Sequence, residues 1–162
     1  MKHLSILTIT MIGLASFMCT TVRADSPHFV GAQTFSFNSV TGDYSVSFKE
    51  AGLGSTPVTY TLAAGAGTTF TYQCFTKSNN TPQGSPNSVS GSGDSTSTTI
   101  TPHNGTVSAT ICLTPEQDGA SCQGHGLALK LIGTDYDNVT FSDGLGNNVA
   151  IADACSGSGC PD

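Results

Sequence analysis

The stretch GTDYDNVTFSDG, residues 133–144, gathers Asp135, Asp137 and Asp143 with Asn138 into the densest group of acidic and amide oxygens in the chain. Hard cations take such oxygens, and the order Asp-x-Asp-Asn resembles the opening of a calcium loop. The glycine and the closing glutamate of such a loop are missing, so the first reading is solvated turn residues and calcium comes second. Paired carboxylates also serve glycoside hydrolysis, but that site needs a cleft with aromatic platforms, and the chain has no Trp. His103 in PHNG and His125 in GHG sit in turn-like settings without a partner at zinc spacing. His28 would chelate copper through its ring and amine only if processing made it the first residue. GDS at 93–95 resembles part of a serine-protease signature, yet Thr96 and Ser97 replace the glycines whose backbone would form an oxyanion hole. An enzyme reading thus reduces to a hydrolase with Asp135, Asp137 or His125 in a cleft.

Cysteines and charge set the chemical context. Lys2 and His3 precede an apolar run from Leu4 to Met18, and Val22-Arg23-Ala24 closes the segment. A short positive region, an apolar stretch too brief to span a bilayer and small residues at the last positions predict a signal peptide over 1–24. Cys19 follows Met18, which is not the small residue that a lipidation signal requires. The remainder is expected to form one domain over 25–154 and a cysteine-containing tail over 155–162, secreted or held in the cell envelope, with no membrane span. Without Lys2 and Arg23, three basic side chains face eleven acidic ones, a net charge of −8 that disfavours nucleic acid.

Five cysteines then remain: Cys74, Cys112, Cys122, Cys155 and Cys160. Export makes disulfides the default, and an odd count leaves a thiol over. Cys155 and Cys160 enclose SGSG and are expected to close a small ring. Cys74 joined to Cys122 would close a loop of about 49 residues, worth ~4 kcal/mol through chain entropy, with Cys112 as the free thiol. Cys112 joined to Cys122 across TPEQDGAS is the rival scheme.

The elements that must position these groups are strands. Apolar residues alternate at Phe35/Phe37, Tyr44/Val46/Phe48, Val58/Tyr60/Leu62, Phe70/Tyr72/Cys74, Val107/Ala109/Ile111/Leu113, Leu127/Leu129/Leu131, Val139/Phe141 and Val149/Ile151, with one more strand near Thr98–Thr101. Turn signals lie between them at 41–43, 103–105 and 142–144. Short strands at this spacing predict an all-β fold, an antiparallel β-sandwich of immunoglobulin-like character with eight or nine strands. Residues 78–97 are nearly free of large apolar side chains and read as a long loop. Thr-rich alternation, as in STSTTIT at 95–101, would suit an ordered surface such as ice or a polysaccharide, but no regular repeat extends it.

PHFV at 27–30, VSFKEAGLG at 46–54, TYQC at 71–74, NGTV at 104–107, Pro115, Cys122 with Gly124, Tyr136 and NVTFSD at 138–143 together span most of the chain after residue 24. In these framework residues the chain resembles a widespread set of small secreted β-sandwich proteins of bacteria and fungi that has no established activity. The resemblance implies export, the sandwich, and a Cys74–Cys122 pair. Cys112 and the CSGSGC tail depart from its pattern. The leading expectation is a non-enzymatic extracellular binding, adhesion or envelope-associated domain whose partner is an extracellular protein or a surface glycan. Segment 77–97 is its first candidate contact surface, because binding residues gather on loops of rigid scaffolds. A secreted hydrolase, or a calcium- or copper-binding module, is the alternative. Sequons at Asn79, Asn104 and Asn138 matter only where the source glycosylates.

Overall fold

A computed structural model describes residues 26–156 apart from 92, 118 and 152, with the backbone alone at 155 and 156. Every described element is a strand: β1 (His28–Phe29), β2 (Thr34–Phe37), β3 (Tyr44–Ala51), β4 (Val58–Ala63), β5 (Thr69–Thr76), β6 (Pro82–Ser90), β7 (Ser95–Ile100), β8 (Thr106–Leu113), β9 (Leu127–Tyr136), β10 (Thr140–Ser142), β11 (Asn148–Ala150) and β12 (Ala154–Ser156). The all-β expectation holds, and the strand count exceeds the expected eight or nine. No helix among the described residues is long and apolar enough to cross a membrane.

The strands form three four-stranded antiparallel sheets. In the first, β8 runs along the whole of β3, from Tyr44 opposite Leu113 to Ala51 opposite Thr106. That occupies one edge of β3, so β1 and β2 share the other, at Glu50–Ala51 and Tyr44–Ser47. The second sheet is ordered β11-β10-β4-β7 and the third β12-β9-β5-β6.

Strict alternation in β3, β4, β5 and β8 buries Val46, Phe48, Val58, Tyr60, Leu62, Phe70, Ile111 and their neighbours in one core. Rings join the three sheets. Phe48 of β3 lies 4.5 Å from Tyr60 of β4 and 4.8 Å from Phe141 of β10, and Tyr44 of β3 and Phe70 of β5 each stand 5.4 Å from Tyr136 of β9. Edge-on and tilted arrangements like these suit the ring quadrupole and add to the area they bury.

Three departures from the sequence expectation have physical causes. Residues 78–97 are not one loop: β6 pairs with β5, and β7 pairs with β4. The side chains of β6 are almost all exposed, so it carries no apolar period; its backbone ladder makes it a strand. It is an edge strand, where Pro82, Gly84 and Pro86 and a register shift opposite Tyr72–Cys74 are tolerated. Second, Asp135 is not in a turn but inside β9, because a bulge inserts Ile132: Thr71 pairs with Gly133 and Tyr72 with Leu131. The bulge switches the inward face from Leu127, Leu129 and Leu131 to Thr134 and Tyr136. Third, β12 pairs with β9 over 154–156, so the backbone of the ladder runs past the expected domain end at 154.

Cys74 and Cys122 form the disulfide. Cys74 is half-buried rather than fully in the core, and Cys112 is an exposed free thiol on β8 opposite Ser45. The side chain of Cys155 and all of Cys160 lie outside the described residues, as does the expected signal peptide.

Candidate functional site

Tyr44, Val46 and Phe48 set the inward face of β3, and the next residue on that face is Glu50, a carboxylic acid with 0% exposure. Asp143, just past β10 on the side of buried Phe141, is also at 0%. The Asn147 side-chain amide links the two carboxyls, and each lies close enough to shift the other's titration. Tyr60 Oη donates to Glu50 Oε2 at 2.8 Å. The amides of Leu145 and Asn147 donate to Asp143 Oδ1 at 2.8 and 3.0 Å. Asn147 Nδ2 reaches Asp143 Oδ2 at 2.5 Å, Glu50 Oε1 at 3.4 Å and the Pro27 carbonyl at 3.2 Å.

Electrostatics divides the pair. Burial pushes the Glu50 carboxyl above the ordinary glutamate range, and the neighbouring Asp143 charge pushes the same way. Burial acts on Asp143 too, but the Leu145 amide and the Asn147 side chain outweigh it and hold Asp143 below the ordinary aspartate range. When the pair holds a single proton, these opposed shifts favour it on Glu50 and the charge on Asp143. Two carboxyls with opposed shifts are the raw material of acid–base hydrolysis, yet here every partner is intramolecular and both groups are sealed from solvent. What the arrangement does is tie β3, the 143–147 turn and the N-terminal segment together.

The residues singled out from sequence are dispersed. Asp135 lies in the β9 ladder opposite Thr69. Asp137 packs against Gly67, where a Cβ would collide with its carboxylate, and its backbone is bracketed by the Thr68 hydroxyl. Asn138 adopts φ 49° and its amide donates to Asp153 Oδ1 at 2.9 Å. Asp143 belongs to the Glu50 network, and the exposed His28 ring lies 2.9 Å from the Ser26 carbonyl. Among the described residues, no three His, Cys, Asp or Glu side chains converge as metal ligands. His125 and Asp135 are not brought together. His125 stands beyond the Leu127 end of β9 and Asp135 near its other end, a strand's length of roughly 25–30 Å apart.

Desolvation and the Asp43 charge push the Cys112 thiol up, against a hydrogen bond with Thr114, which disfavours the reactive thiolate. All three sequon asparagines, Asn79, Asn104 and Asn138, are exposed.

The outward faces of the sheets carry a second kind of polar order. Hydroxyls pair across strands at Ser47–Thr110 (2.7 Å), Thr59–Thr99 (2.8 Å), Thr61–Ser97 (2.8 Å) and Thr71–Ser88 (2.9 Å). In the β11-β10-β4-β7 sheet the register aligns Asn148, Ser142, Thr61 and Ser97 in a row crossing all four strands, with Thr59 and Thr99 in a further row. None of these six side chains ionises.

No family model, curated protein or solved structure matches the chain.

Proposed function

We propose that the chain is an exported, non-enzymatic β-sandwich domain of immunoglobulin-like character that acts by surface contact outside the cell or within its envelope. Carrying this reading is the burial of the Glu50–Asp143 pair. The carboxyls that meet are walled in, while the side chains turned outward on the sheets are short hydroxyls already paired with one another. Export is supported by the character of residues 1–24, by the Cys74–Cys122 bridge and by the resemblance to small secreted proteins. The sandwich is supported by one apolar core shared among three antiparallel sheets.

The test is to express the full chain in a secreting host, map the product under non-reducing conditions, and incubate it with intact cells of the source species. The expected result is an N-terminus at Asp25, an intramolecular Cys74–Cys122 bridge, retention on cells through washing in about 1 M salt, where simple ionic attraction is screened, and no turnover of a panel of glycoside, ester and peptide substrates. Retained Met1 would remove the export claim. Turnover that is lost in a Glu50→Gln or Asp135→Asn variant would replace contact by catalysis.

A further inference from the structure

We propose that the outward face of the β11-β10-β4-β7 sheet is a docking surface for a neutral, insoluble polysaccharide, an inference that rests on the contact reading above. Charge comes first. This face lacks ionisable groups at Asn148, Ser142, Thr61, Ser97, Thr59 and Thr99, while the chain after residue 24 carries a net charge of −8. An anionic polymer is repelled by that field, and a cationic one would be drawn to the acidic parts of the molecule rather than to an uncharged patch. A neutral partner is the one whose charge this face matches. The other two sheets differ: β3–β8 turns Lys49 and Cys112 outward, and β5–β9 sets Gln73 opposite Lys130 and Thr69 opposite Asp135.

Hydrogen bonding and shape point to the same chemistry. In each cross-strand pair one hydroxyl proton is used, which leaves one donor and several lone pairs free to face outward. The pairing fixes the rotamers, so little freedom is lost when a partner arrives. Sugar hydroxyls are likewise donors and acceptors together. Threonine methyls, with Ala63 and Ala150 in the neighbouring row, offer apolar contact to the C–H faces of pyranose rings. Adjacent strands lie ~4.8 Å apart and same-face residues recur every ~6.7 Å, so four strands make a patch ~15 Å across. No aromatic side chain stacks a single sugar on these rows, so each contact is weak. Strength must come from many contacts at once, which a polymer surface supplies and a soluble oligosaccharide does not.

The test is depletion of the secreted, disulfide-bonded protein from solution by microcrystalline cellulose, chitin and insoluble β-1,3-glucan, with a pectate gel as the anionic polymer. Wild type is expected to partition onto at least one neutral polymer and not onto pectate. Thr59→Glu with Thr99→Glu should weaken that partition about tenfold or more, because two charges must be desolvated on contact. Ser47→Glu with Thr110→Glu on the β3–β8 face should change it less than about twofold. Thr59→Val with Thr99→Val, which keeps the shape and removes the hydroxyls, provides a second variant pair should the charged one melt early, and a several-fold loss is expected. No partition onto any neutral polymer, or partition onto pectate alone, would overturn the polysaccharide while cell retention left the contact reading standing. Equal loss in the Ser47/Thr110 control would overturn the choice of face. Cell retention abolished by protease treatment of the cells would assign a protein partner and overturn the inference.

Discussion

The Glu50–Asp143 pair, linked through Asn147, and the directly bonded Thr59–Thr99 pair each join two polar side chains, and their energetics differ because one is sealed and the other is wet. Inside, the alternative to the native partner is no partner at all, so each bond is expensive to lose. Outside, water replaces any bond that breaks. The interior pair therefore holds the architecture, and the exterior pair is free to serve contact.

The sharpest way to break this contrast is Asp143→Ala, which leaves the Leu145 and Asn147 backbone donors and the Asn147 side-chain amide without their acceptor. It should destabilise the fold by about 3 kcal/mol in chemical denaturation; a loss under about 1 kcal/mol would mean that water reaches the site. Next comes pH. Glu50 is raised in the folded state, so its contribution is fully present below the ordinary glutamate value of 4.5 and is lost as pH rises through the folded value. Asp143 is lowered, so its contribution is present above the ordinary 3.8 and is lost as pH falls through its folded value. Stability should thus decline on both sides of mildly acidic pH. Glu50→Gln should flatten the alkaline limb, Asp143→Asn the acid limb, and equal slopes in wild type and both variants would deny the opposed shifts.

Smaller still, Thr61→Val on the outer face should shift stability by less than about 0.5 kcal/mol, since the hydroxyl it removes pairs only with Ser97 at the surface. Last, Cys112→Ser should leave the melting temperature unchanged within about one degree, because the thiol is exposed and unbridged. A large loss there would reveal a second disulfide scheme in solution.

Much of the fold was legible because its strands are half-buried. Tyr44/Val46/Phe48 and Val58/Tyr60/Leu62 alternate cleanly, since one face of each meets the core and the other meets water. β6 was illegible for the converse reason: with both faces exposed, nothing in its side chains records the backbone ladder. The β9 bulge broke a period that Leu127, Leu129 and Leu131 had begun, which made Asp135 look like part of a turn. The Cys74–Cys122 bridge was one of two schemes that spacing left open, and the resemblance favoured it.

Of the site, the decisive residue had a signal that composition hides. Glu50 falls on the same parity as three core residues of β3, and an acid at an inward position must find a partner. That partner cannot be read locally, because Asn147 stands 97 positions away and Asp143 was absorbed into an acidic cluster that the fold divides. The outer hydroxyl rows were visible as Thr alternation, but their alignment across four strands depends on registers set by the core.

The bond from Asn147 to the Pro27 carbonyl spans 120 positions, and Phe29 rests 5.4 Å from Phe141. β1 can pair with β3 early, but its seat is complete only when residues 141–147 have been made. Synthesis runs at roughly 5–20 residues per second, so the early segments wait several seconds with their rings uncovered, and pairings this distant are among the slowest to close. A chain whose N-terminal segment is locked by one of its last turns closes late, so its core stays open until synthesis is nearly over.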